Sequence, residues 1–67
     1  MMCFTEEERM IIDMYHSPSR MITVVKIQNA MPFVDDENML SLMKTVISKL
    51  LKTTDKEYAR LLDSIIS

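Results

Sequence analysis

At 67 residues the chain makes one small domain, too short for a catalytic cleft walled by two layers and near the lower limit for a self-sufficient core. Eight Lys and Arg against ten Asp and Glu leave a formal charge of -2, which provides no strong positive field and disfavours general coating of nucleic acid. Hydrophobic residues make up 48% of the chain and exclude a disordered tail, while charged residues at 27% suffice to clothe a small surface.

Glycine is absent and proline occurs twice, which argues against the tight turns of a strand-rich fold and leaves helices as the default. Cys3 is the single cysteine, so no internal disulfide can form, and the chain fits a reducing cytoplasm. No run approaches the roughly 18 to 20 apolar residues of a membrane span. The start of the chain is acidic at Glu6, Glu7 and Glu8, not basic before an apolar stretch, so neither a signal peptide nor an anchor is expected.

Thr5 followed by Glu6, Glu7 and Glu8 reads as a capping box. Three carboxylates in the first turn also oppose the positive end of the dipole, predicting a helix from Glu6 to about Tyr15. On a wheel, Met10, Ile11, Ile12, Met14 and Tyr15 sweep about 200° and leave a narrow polar side, so this helix should be central or partly covered by another molecule.

Ser17-Pro18 marks the next boundary, with serine as cap and proline at the first helical position. The segment from Pro18 to about Ala30 is rich in β-branched residues, yet strict alternation fails at Val24-Val25. Met21, Val24, Val25, Ile27 and Met31 gather in about 160° of a helical wheel, so helix is preferred, ended by Pro32.

Asp35, Asp36, Glu37 and Asn38 open a third helix of about sixteen residues ending near Lys52. Its apolar half holds Met39, Leu40, Leu42, Met43, Val46, Ile47, Leu50 and Leu51, and its polar half holds Lys44, Lys49 and Lys52. Thr54-Asp55-Lys56-Glu57 repeats the capping box and starts a fourth helix at Asp55. There Tyr58, Ala59, Leu61, Leu62, Ile65 and Ile66 share one side. The short connections predict an all-α, compact bundle of four short helices in a single domain, 1–67.

Catalysis requires a reactive group, a base, a residue to orient it and exclusion of water, and Cys3 with His16 do not supply that set; no enzyme activity and no cofactor are expected. His16 is placed to meet the carbonyl end of its own helix or the Asp13 carboxylate. Zinc needs about four soft or imidazole ligands, and one cysteine with one histidine cannot provide them. Asp35-Asp36-Glu37 lacks the glycine turn and alternate spacing of a calcium loop and reads as a helix cap. A helix-turn-helix DNA reader remains a specific alternative, with Ser19 and Arg20 near a helix start and Lys44, Lys49 and Lys52 along another. A solvated face is the preferred reading of these lysines, which are ordinary on a long amphipathic helix, and no recognition-helix cluster of Arg, Lys, Asn and Gln is present.

Eight methionines are the least ordinary feature. Beyond Met1 and Met2, core filling is the first expectation for the other six, with an adaptable partner surface as the second. A domain of this size cannot bury every apolar residue, so the wide stripe of the first helix predicts an uncovered protein-binding patch anchored on Ile12 and flanked by Met10 and Met14. Arg20 joins these candidates as the polar position, because a cation in a first helical turn needs a carboxylate or a partner to offset the dipole.

The succession Phe4-Thr5-Glu6-Glu7-Glu8, Ser19-Arg20, Ala30-Met31-Pro32, Glu37-Asn38-Met39, Lys49-Leu50 and Thr54-Asp55-Lys56-Glu57-Tyr58 resembles the small transposon-transfer assisting proteins of conjugative transposons in Gram-positive bacteria. The resemblance covers almost the full chain and rests on order and spacing, since each piece alone is an ordinary cap or amphipathic position. Where family members often carry an Asp-Thr-Ser-Ser-Arg-like turn, this chain has Tyr15-His16-Ser17-Pro18-Ser19-Arg20. The resemblance implies a helical accessory protein of a mobile element, associated with its transfer, and brings no catalytic residue with it. The resulting expectation is a non-enzymatic cytoplasmic accessory that binds a protein partner, another copy of itself included, with no membrane among its partners and nucleic acid disfavoured. The competing expectations are a small DNA-binding regulator of the element and a structural homodimeric subunit.

Overall fold

A computed structural model describes residues 4–66, side chain of Ile66 excepted; Cys3 lies outside the described residues. Four helices follow one another: α1 (Glu6–Tyr15), α2 (Arg20–Ala30), α3 (Glu37–Lys52) and α4 (Asp55–Ile66), with one 3-10 turn, Met31–Phe33, after α2. No strand occurs among the described residues, and the chain is an all-α bundle as its periodicity predicts.

The capping box of α1 forms: the Glu8 amide donates to Thr5 Oγ1 at 3.2 Å, and the Thr5 amide donates to Glu8 Oε1 at 2.7 Å. The box at α4 forms likewise, with the Glu57 amide on Thr54 Oγ1 and the Thr54 amide on Glu57 Oε1. At α3, Asp36 accepts from the amides of Asn38 and Met39.

The start of α2 differs from expectation. Ser19, not Ser17, is the N-cap, accepting from the Ile22 amide, and the helix begins at Arg20 with Pro18 outside it. The cause is tertiary. Ser17 is buried, its amide donating to Thr23 Oγ1 at 2.9 Å and its carbonyl accepting from the Tyr58 hydroxyl, so its backbone is held by the core. At the other end, the Met31 amide donates to the carbonyls of Ile27 and Gln28, and Pro32 sits within the 3-10 turn that follows.

The core takes Ile11 and Ile12 from α1, Val24 and Ile27 from α2, Met43, Val46, Ile47 and Leu50 from α3, and Tyr58 from α4. Every helix thus loses surface to the same cluster, with α3, the longest, as its spine. On α1 the inward stripe is Glu8, Ile11, Ile12 and Tyr15, the i, i+3, i+4, i+7 pattern of one helix face. On α2 it is Thr23, Val24 and Ile27, whereas Met21 and Val25 of the expected arc face solvent beside Ile22. Thr23 turns that helix: its hydroxyl lies 2.5 Å from that of Tyr58, which draws the Thr23 side inward. Among the described side chains the expected faces of α3 and α4 hold, except that Met39, Leu51 and Ala59 are exposed; that of Ile66 lies outside those described.

Core filling by methionine is likewise corrected. Met43 alone of the six is buried, Met31 is half-buried, and Met10, Met14, Met21 and Met39 are exposed. Branched Ile, Val and Leu with Tyr58 fill most of the centre of the bundle, and apart from Met43 the thioethers are left to its margins.

Candidate functional site

The predicted patch on α1 divides in two. Ile12 is 0% exposed and is a core residue, which corrects its expected place in an uncovered patch: it lies on the same arc as Ile11 and Tyr15 and points between the other helices. Met10 and Met14 are 63% and 66% exposed, one turn apart on the flank of the same helix. The exposed part of the wide stripe is therefore its methionine edge.

Beside that edge runs a groove of about 420 Å³ between the C-terminal half of α1 and the first turns of α3. Its apolar lining is Ile11, Met14, Tyr15, Val34, Met39 and Met43, to which α1, α3 and the segment after the 3-10 turn all contribute. Asp35 and Asp36 complete the wall. Three of its residues are methionines, whose unbranched thioethers can repack around an incoming apolar group at little strain. Sequence reading placed Met14 at such a surface but missed Tyr15, Val34 and Met39. Val34 carried a signal in the sequence, being an apolar residue stranded between Pro32 and an acidic cap. Phe33, next to it, is 87% exposed.

Arg20 lines a different cleft, of about 630 Å³, shared with His16, Asp55, Tyr58 and Leu62, so the structure does not bring it together with Met14. Its Nε donates to Asp55 Oδ1 at 3.0 Å and its Nη1 donates to the Leu50 carbonyl at 2.9 Å. The cation that opposes the α2 dipole is thus offset by the carboxylate in the first turn of α4 and by a carbonyl near the C-terminus of α3. Arg20 is a strut between three helices. Beside it, His16 Nδ1 lies 2.8 Å from the Asp13 carbonyl, closing the end of α1 as the carbonyl-end reading expects.

Of the lysine row on α3, Lys49 turns inward. Its Nζ donates to Glu8 Oε1 at 2.7 Å and stands 5.7 Å from the centre of the Phe4 ring. Burial pushes the Glu8 carboxyl up, but the hydrogen bonds from Lys49 and the Thr5 amide, with the charge of Lys49, outweigh it and hold the group below its usual range. Lys44 and Lys52 remain exposed along a shallow face with Thr45 and Ser48. Among the described residues no group of three or more His, Cys, Asp and Glu is placed to hold a metal ion, and no helix is long and apolar enough to cross a membrane.

A family model described as "Putative transposon-transfer assisting protein" matches residues 4–62. That span includes both the methionine edge and the Arg20 strut. No curated protein and no solved structure matches the chain.

Proposed function

The chain belongs to the transposon-transfer assisting protein family, and on that premise we propose that it is a non-enzymatic accessory of conjugative transposon transfer that works by binding another protein. The observation that carries this reading is the Met10–Met14 edge beside an open apolar groove, on a domain whose described buried side-chain N and O atoms all have partners. Contiguous exposed apolar surface of this kind marks interaction sites, and adaptable thioethers at a groove are suited to partner contact. The reading as a DNA regulator has less support, because Arg20 and Lys49, two of its named cations, are engaged by Asp55 and Glu8.

The test is transfer frequency of an element carrying this gene intact, deleted, or replaced by the Met10→Glu, Met14→Glu double variant. Deletion should lower transfer, and the double variant should behave like the deletion while keeping wild-type circular dichroism and abundance. Transfer that survives deletion unchanged defeats the reading. Retardation of element DNA that weakens steeply with salt, together with normal transfer by the double variant, favours the regulator instead.

A further inference from the structure

Resting on the protein-binding reading above, we propose that the groove between α1 and α3 receives an amphipathic helix of a partner protein whose apolar stripe is flanked by Lys or Arg. The first argument concerns backbone. Among the described residues no strand offers an edge, so an extended segment laid in the apolar groove would find no ladder for its N–H and C=O groups. A helix satisfies those groups internally and brings only side chains to the exposed thioethers of Met14 and Met39, beneath which the buried Met43 forms the floor of the groove.

The second argument is charge. Asp35 and Asp36 line the groove, exposed Glu37 follows them, and no Lys or Arg lines it among the described residues. Asp36 is held in place by the amide of Asn38 at 2.8 Å. The positive end of the α3 dipole offsets only about half an elementary charge against three carboxylates, so this rim stays acidic and complements a basic flank. The same charge disfavours a second copy as the occupant. A two-fold pair joined through this face would bring two like-charged rims into one interface.

The probes are two designed helical peptides with the same Leu- and Met-bearing apolar face, one flanked by Lys and Arg and the other by Glu. Binding to the full chain is followed by fluorescence anisotropy and by the methyl resonances of 13C-labelled methionine. The basic peptide should bind at least ~10-fold more tightly than the acidic one, shift Met14, Met39 and Met43, and leave Met21 of α2, outside the groove lining, unmoved. Asp35→Lys should narrow or reverse that preference, and because Asp35 is exposed and caps nothing, the fold should survive it. Equal binding of the two peptides, no binding of either, shifts centred on Met21, or a dimer in sedimentation that seals the groove would each overturn the proposal. Loss of transfer in the Met10, Met14 double variant alongside a failed peptide assay would leave the protein-binding reading standing and remove only this class of partner.

Discussion

The Tyr58 hydroxyl donates to the main-chain carbonyl of Ser17 at 2.5 Å, tying α4 to the turn between α1 and α2 across 41 positions of sequence. The Thr23 hydroxyl lies against that of Tyr58 and also within reach of the Ser19 carbonyl at 3.2 Å, and the Ser17 amide donates to Thr23 Oγ1. Three buried residues from three parts of the chain thus form one connected set of polar contacts beside the apolar core.

Tyr58→Phe should therefore cost about 1–3 kcal/mol, because the Ser17 carbonyl is left buried without its donor while the ring still fills its place. A domain of this length has on the order of 3–10 kcal/mol in total, so the loss is a large share of it. Thermal unfolding should show it as a fall of about 4–8 °C for each kcal/mol. An unchanged melting temperature would mean that water or the Thr23 hydroxyl, 3.5 Å from the Ser17 carbonyl, takes the place of the tyrosine as donor.

The same residues mark where sequence reading succeeded and where it stopped. Thr5 with Glu8, and Thr54 with Glu57, were legible because each box is closed within four consecutive residues. Ser17 and Ser19 were both credible caps for α2, and the choice between them is made by Tyr58, far along the chain, which no local pattern reports. The wheel of α1 correctly ran too wide for one neighbour, but it could not say which edge of the arc would meet the other helices. Glu8 decided that. Its pairing with Lys49 is compatible with only one of those edges, the one that buries Ile11 and Ile12 against α3 and leaves Met10 and Met14 outside. Val34 and Met39 join Met14 only because a 3-10 turn reverses the chain between α2 and α3.

Glu8 should give the fold an acid-sensitive component. Its folded-state pKa is lowered, so its contribution to stability is fully present above the unfolded carboxylate value near about 4.3 and is lost as pH falls through the lower folded value. Urea midpoints measured from neutral pH down to about pH 3 should therefore fall more steeply for the wild type than for Glu8→Gln. Lys49→Met should cost about 1–3 kcal/mol at neutral pH, because it leaves a buried carboxylate with only the Thr5 amide, and less once Glu8 is protonated. Parallel pH curves for the three proteins would show the ion pair to be energetically idle.

Arg20 offers a test of which of its two contacts matters. The Asp55 side chain is 88% exposed and that of Arg20 only 18%, so the ion pair between them is a surface one, worth about 0–1 kcal/mol and weakened by salt. The bond to the Leu50 carbonyl is half-buried and survives screening better. Arg20→Ala should accordingly cost about 1–2 kcal/mol and Asp55→Asn less than about 0.5 kcal/mol, and the gap should persist in 0.5 M salt, a concentration at which the Debye length is only about 4 Å. Equal losses from the two variants would place the value of Arg20 in the ion pair and not in the carbonyl it caps.

Ile12 and Met14 stand two residues apart on one helix, at opposite extremes of exposure, and their substitutions should separate folding from binding. Ile12→Ala removes most of a side chain from a closed core and should cost about 2–5 kcal/mol, enough to unfold a marginal domain at growth temperature, so any loss of transfer it causes reports on abundance. Met14→Glu places a charge where solvent already reaches and should change stability by no more than about 0.5 kcal/mol. If transfer nonetheless falls with Met14→Glu at unchanged protein level, the thioether edge is used by something outside the chain. If it falls only with Ile12→Ala, the exposed methionines are bystanders and the transfer defect follows from loss of the fold.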